Sequence, residues 1–121
     1  MTKAKSIAAW IIIVILSTIF IFSSIAKIFG FSSQLNDEFA AWNLSDWQLV
    51  IGFILLVSTI LFLFPVTFKF GVLLLSSYWG GAIAIHLSHD ETPLAIVPII
   101  FLILIWISYY MRNPNMFRRS P

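Results

Sequence analysis

One stretch near the middle of the chain reads Leu75-Ser76-Ser77-Tyr78-Trp79-Gly80-Gly81-Ala82-Ile83-Ala84-Ile85-His86. It lies inside an apolar run long enough to cross a bilayer as a helix, for which about 20 residues are needed. On that helix Ser76, Gly80 and Ala84 share one face, and Ser77 and Gly81 lie beside them. A stripe of small residues lets a second helix approach closely in lipid. We therefore predict a helix-packing role for these five residues.

The composition of the whole chain is that of a membrane protein. Of its 121 residues, 60% are hydrophobic and 10% are charged, whereas a soluble domain carries about 25% charged residues. The length allows one domain of a few spans, so we treat residues 1–121 as a single membrane domain. The chain has no cysteine, which excludes thiol catalysis, disulfide exchange, iron–sulfur ligation and cysteine-based zinc sites.

Four apolar segments are long enough to span the bilayer. Start and stop signals, such as Ser45-Asp46 before the second segment and Pro65 after it, place the spans at about residues 7–29, 47–64, 70–87 and 93–111. The first run is longer than the apolar core of a signal peptide, which favours a helix over that alternative. The predicted fold is an all-α integral membrane four-helix bundle.

The segment between the first two spans has its own pattern. Phe31, Leu35, Phe39 and Trp42 recur at helical spacing, with polar residues between them. This pattern predicts a short amphipathic helix in the membrane interface. An irregular loop anchored by Trp42 is the alternative.

The charged residues separate cleanly between the two sides of this four-span topology. Six basic residues fall on one side and five acidic residues on the other: Lys3, Lys5, Lys69, Arg112, Arg118 and Arg119 against Asp37, Glu38, Asp46, Asp90 and Glu91. By the positive-inside rule both termini are cytoplasmic. The basic residues flank the bilayer, so we expect a lipid environment and no nucleic-acid partner.

Lys27 is the one basic residue that falls outside this sorting, and it lies near the outer end of the first helix. It could be an interfacial lysine whose amine reaches outward to water. Helical side chains, however, tilt toward the helix N-terminus, which directs Lys27 inward toward Ser23 and Ser24. A charge inside a membrane is costly and by default a functional candidate. Both interpretations stay open.

His86 ends the third span and also leans inward. A helical projection puts Trp79 near His86 and away from the small-residue stripe, so both face a third element, a cavity or headgroups. An interfacial histidine bonded to water is the alternative. The spacing of His86 and His89 across a helix end does not suit zinc. We predict no metal site and identify no catalytic residue.

Three segments resemble the DoxX-like family. The first helix ends Phe22-Ser23-Ser24-Ile25-Ala26-Lys27-Ile28-Phe29-Gly30, the second begins Val50-Ile51-Gly52-Phe53-Ile54-Leu55, and the third ends Gly80-Gly81-Ala82-Ile83-Ala84-Ile85-His86-Leu87. The resemblance implies a small bacterial inner-membrane protein, linked in some members to quinone-reducing oxidoreductases or redox-stress complexes. Members often carry a glutamate soon after the position of Gly52; Phe53, Ile54 and Leu55 replace it here, which argues against an ion pair with Lys27 at that site.

Three functions follow as hypotheses. The first is an accessory or anchor subunit of a redox system, with quinone as the cofactor near Lys27, His86 and Trp79 and a redox protein as partner. The second is a small-molecule or anion binding or transport module with an outward-facing pocket at Lys27, His86, Trp79, Ser23 and Ser24. The third is a structural or assembly protein, with homo-oligomers possible. Without thiols the chain is not expected to move electrons alone, and whether it is an enzyme stays open.

Overall fold

A computed structural model describes residues 3–112 of the chain, which form five helices. Their bounds are α1 Lys3–Phe29, α2 Ser33–Ala41, α3 Gln48–Leu63, α4 Phe68–Ser88 and α5 Ile96–Arg112. Short 3-10 turns, Ser45–Trp47 and Thr92–Ala95, lead into α3 and α5. Four segments are long and apolar enough to cross a membrane: Ser6–Phe29, Ser45–Leu63, Phe68–Ser88 and Pro93–Arg112. The prediction of an all-α membrane bundle is confirmed.

The chain between α1 and α3 is helical, as the amphipathic pattern predicts, and not an irregular loop. Gly30 ends α1 with a positive φ of 63°, a conformation that glycine adopts without steric cost. Ser32 then begins α2, since its hydroxyl accepts a hydrogen bond from the Leu35 N–H at 3.3 Å. These two residues end α1 and begin α2 within three positions.

The four long helices form a ring in which α1 packs against α3 and α5, and α4 packs against the same two helices. The centre of the ring is filled by large side chains with almost no exposed surface, among them Phe20, Leu55, Phe62, Leu75 and Ile105. Connectivity gives the ring two ends. The α2 end carries α2 and the α4–α5 loop, and the Arg112 end carries the α3–α4 turn and the end of α5.

Arg112 closes its end of the bundle. Its guanidinium lies 4.3 Å from the Trp10 ring centroid and 4.4 Å from that of Phe68. These are cation–π contacts that tie α5 to α1 and α4. Arg118, Arg119 and the side chains of Lys3 and Lys5, which contribute to the charge sorting, lie outside the described part of the structure.

Two glycines mark the closest helix approaches, and neither belongs to the predicted stripe. A Cβ added at Gly71 of α4 would lie 2.3 Å from the Phe62 backbone nitrogen of α3. One added at Gly52 of α3 would lie 3.0 Å from the Lys27 Cβ of α1. Without a Cβ, each residue lets two helix backbones meet.

Within residues 3–112 the predicted seam of Ser76, Gly80 and Ala84 contacts another helix through Ser76, and not through close packing at the glycine. Among residues 3–112, a Cβ at Gly80 or Gly81 would meet no neighbouring atom within 4 Å. Ser76 touches α5 through a hydrogen bond from the Trp106 indole N–H at 2.9 Å, but Ala84 is exposed. The helix-packing role that the sequence suggests for these residues stays a prediction.

Candidate functional site

A cavity of about 570 Å³ opens at the α2 end of the bundle. All five helices contribute to its wall, which is mainly apolar. Its polar and charged lining consists of few side chains, which are Ser23, Lys27, Glu38, Ser77, Tyr78 and His86. An apolar cavity with a few convergent polar groups is the usual form of a small-molecule site.

Lys27 is buried in the cavity wall, with 7% of its surface exposed. Its Nζ donates a hydrogen bond to Ser23 Oγ one turn earlier, in the direction that the tilt of helical side chains predicts. The Tyr78 ring centroid lies 6.0 Å from the same nitrogen. Ser23 is the hydrogen-bond partner of Nζ among residues 3–112. An ammonium has three N–H groups, so two remain for a ligand or water.

Ser23 and Ser24 differ in what they contact, although the sequence paired them as candidates. Ser23 lines the cavity. Ser24 is fully buried and donates to the Phe20 carbonyl of its own helix at 2.7 Å. Ser24 therefore lies outside the cavity lining, and its hydroxyl is already satisfied.

His86 lines the same cavity as Lys27, and its bonding partner is Glu91. The His86 Nδ1 lies 3.1 Å from Glu91 Oε1, and the Trp42 indole donates to that same oxygen at 2.9 Å. The Trp42 and His86 rings meet edge to face at 5.2 Å. The pKa of Glu91 is lowered, because Trp42 and then His86 stabilise its charged form by hydrogen bonding. We call these three residues the Trp42–Glu91–His86 cluster.

Trp79 forms part of the cavity wall and is the most buried of its polar-tipped aromatics. It is 8% exposed and packs against Phe20 at 5.1 Å and Phe101 at 4.8 Å between ring centroids. Among the described residues its indole N–H has no hydrogen-bond partner. An unsatisfied buried donor costs about 1–3 kcal/mol, so a group that supplied an acceptor here would be stabilised.

Helix α2 covers the cavity and is held on both sides. On one side Asn36 donates to the Gly30 carbonyl at 2.8 Å and accepts from Gln48 of α3 at 2.8 Å. Gln48 also donates to the Lys27 carbonyl at 3.2 Å. On the other side Trp42, just after α2, binds Glu91 in the α4–α5 loop. Helix α2, the roof of the site, is thus bonded to the end of α1, the start of α3 and the α4–α5 loop.

Two features of the site were not found from the sequence. Glu38 is one of the polar residues between the apolar positions of α2, yet it lines the cavity with Leu35 and Trp42. Residues three and four apart share a helix face, so its spacing from Leu35 and Trp42 was the available signal. The contact between Trp42 and Glu91 joins residues 49 positions apart, and no local pattern indicates it.

The comparisons with known proteins give one match. The model of the DoxX-like family matches residues 11–108, which include all four membrane-spanning helices for most of their length. No curated protein and no solved structure matches the chain.

Proposed function

This chain belongs to the DoxX-like family, and from that premise and its cavity we propose that it is a ligand-binding membrane subunit. The cavity holds the hydrogen-bond-accepting head of a small, lipid-soluble molecule beside Lys27. A quinone has this chemistry, which agrees with the redox role that the family resemblance implies. The chain has no cysteine, so electrons reach such a ligand through a redox partner, and this protein supplies the binding site.

The observation that carries the proposal is the burial of the Lys27 ammonium against an apolar cavity. A lysine inside a membrane span is costly and is retained where it pairs or serves a site. Here its partner is a neutral serine, so the charge is not neutralised by direct bonding. A ligand carbonyl would accept from the free N–H groups, and a charge-assisted hydrogen bond is about twice as strong as a neutral one.

The charges around the cavity favour a neutral acceptor over an anion. Glu38 lines the same cavity as Lys27, and Glu91 adds a second carboxylate beside His86. An anion would gain the attraction of Lys27 but would also be repelled by these carboxylates. A carbonyl oxygen gains the hydrogen bond without that repulsion, which places a quinone-like head ahead of the anion-binding alternative.

The charge sorting of the sequence supports an orientation as well. With the basic residues in the cytoplasm of a bacterium, the α2 end faces outward and the cavity lies in the outer half of the inner membrane. A ligand that moves within the bilayer would reach the site from there.

The test is quinone binding to the full chain in lipid nanodiscs, measured by quenching of tryptophan fluorescence. The probe is 2,3-dimethoxy-5-methyl-benzoquinone, which has no tail. We expect saturable quenching, and we expect Lys27→Met to weaken binding by about tenfold, which corresponds to one charge-assisted hydrogen bond. Lys69→Met is the matched control, because Lys69 is exposed at the Arg112 end.

Two results would contradict the proposal. One is quenching that does not saturate in the wild-type protein. The other is equal affinity in the wild-type protein and Lys27→Met, since the ammonium would then have no part in binding.

A further inference from the structure

We propose that the cavity opens sideways into the bilayer between α3 and α4, and that its ligand carries one hydrocarbon tail that leaves through this opening. The inference rests on the proposed function and names the class of ligand more closely. The head lies at Lys27, and the tail lies among lipid acyl chains. We call the opening the α3–α4 portal, bordered by Ile51 and Ile54 of α3 and Leu74, Ser77 and Gly81 of α4.

The portal follows from the positions of the two contact glycines. At the Arg112 end, Gly71 holds α4 directly against the α3 backbone at Phe62. At the α2 end, Gly52 brings α3 against α1, where a Cβ would lie 3.0 Å from the Lys27 Cβ and 3.2 Å from the Ile28 nitrogen. Helix α3 therefore meets α4 at one end and α1 at the other. Toward the α2 end, Ile51 and Ile54 of α3 and Leu74, Ser77 and Gly81 of α4 line the cavity.

The residues on both borders of the portal face the cavity and the lipid together. Ile54 is 48% exposed and Leu74 is 42% exposed, yet both line the cavity. Gly81 also lines it and has open space where a side chain would be. Ser77 has a small side chain and Gly81 has none, so neither residue fills the opening on its α4 side. The cavity is thus continuous with the lipid-facing surface.

The portal lies at a depth in the bilayer that suits a hydrocarbon tail. Leu74 and Ser77 lie near the middle of the α4 span, Phe68–Ser88, where only hydrocarbon surrounds the protein. Leu94 and Val97 also line the cavity and are exposed, but they belong to the first turns of the last span, near the α2 end. The head end is covered by α2, which is bonded to Gln48 on one side and Glu91 on the other.

The experiment fills the portal and compares two ligands that share one head. Gly81→Leu places a side chain in the opening, and Gly80→Leu is the matched control. Gly80 is the neighbouring residue with equally open surroundings, but it lies outside the cavity lining. Each protein is reconstituted in nanodiscs and titrated with the tail-free benzoquinone used above and with its decyl derivative. Comparing each variant with the wild-type protein for one ligand cancels the partitioning of that ligand into lipid.

We expect Gly81→Leu to weaken binding of the decyl compound by about tenfold, because the new side chain occupies the space through which the tail passes and overpacks the opening. The same variant should leave affinity for the tail-free compound within about twofold, because the head does not reach the portal. Gly80→Leu should bind both compounds as the wild-type protein does.

The outcomes separate this inference from the function on which it rests. Unchanged affinity of Gly81→Leu for the decyl compound overturns the portal while head binding stands. An equal loss for both compounds, or an equal loss in Gly80→Leu, also overturns it. If the wild-type protein binds neither compound saturably, the proposed function fails and the portal has no ligand to admit.

Discussion

The two ends of this bundle are built from the same four helices, yet within residues 3–112 they differ: close contacts mark the Arg112 end, which we call the solid end, and the cavity opens at the α2 end, which we call the hollow end. At the Arg112 end, Gly71 brings α4 onto α3, and Arg112 fills the space between Trp10 and Phe68. At the α2 end, Gly52 brings α3 onto α1 instead. The close glycine contact of α3 is thus with α4 at the solid end and with α1 at the end that holds the cavity.

The short extra helix α2 belongs to the hollow end. The cavity lies at the α2 end, and Phe39 of α2 and Trp42 just after it form part of its wall. Polar bonds to Gln48 and Glu91 fix this helix in place. The predictions below test the solid end first and the covered end last.

The largest effect is expected from Gly71→Ala at the solid end. The new Cβ would lie 2.3 Å from the Phe62 nitrogen and 2.4 Å from its Cα, and a backbone cannot move aside as a side chain can. Overpacking of this kind costs about 1–3 kcal/mol, and we expect the upper end of that range. The measurement is the free energy of unfolding in detergent. Gly80→Ala is the control, and equal stability of the two variants would show that α3 and α4 do not meet here.

A smaller effect is expected from Gly52→Ala at the hollow end. Its nearest atoms would be the Lys27 Cβ and Ile28 Cγ1, both at 3.0 Å, which a shift of a few tenths of an ångström would relieve. We expect a loss of about 1 kcal/mol in unfolding free energy. We also expect weaker quinone binding, since the shift moves Lys27. Full stability together with full binding would show that α3 does not rest on Lys27.

The smallest effect concerns the roof and depends on pH. The pKa of Glu91 is lowered by hydrogen bonds from Trp42 and His86. At pH values above the usual glutamate pKa, these bonds therefore stabilise the position of α2 over the cavity. This contribution is lost as pH falls through the lowered pKa of the folded state. Because the chain has no cysteine, a nitroxide label can be attached at Ala40→Cys, at an exposed position of α2.

We expect label mobility to rise as the pH falls below the ordinary glutamate pKa and through the lowered pKa of Glu91. Glu91→Gln is the matched control, because the amide cannot titrate in this range and should remove the Glu91 part of the pH response. If the two proteins respond identically to pH, Glu91 does not hold the roof.

The sequence carried most of the information about the long helices and part of that about the site. Hydrophobic run length placed the spans, because a helix in lipid must bury its backbone groups within itself. Side-chain tilt directed Lys27 toward Ser23, since that direction is a local property of the helix. Helical projection separated His86 and Trp79 from the small-residue stripe for the same reason. Lys27, His86 and Trp79 do line one cavity.

The glycines show which contacts the sequence pattern did not predict. The pattern of small residues around Gly80 and Gly81 predicted close packing, but Gly52 and Gly71 make the close contacts within the chain. A small residue permits a close approach without specifying a partner. The helix that a small residue contacts depends on how all four helices cross, and the sequence of one helix does not contain that information.

Length, composition and local geometry therefore determined an all-α membrane bundle, its helices and the inward direction of Lys27 from the sequence alone. The tertiary structure decided which helix α3 meets at each end, and with that the cavity, its α2 roof and the Trp42–Glu91–His86 cluster. The physical reason is the distance over which each kind of interaction acts. Backbone hydrogen bonds and side-chain tilt act within one helix, whereas the cavity exists only in the space that five helices leave between them.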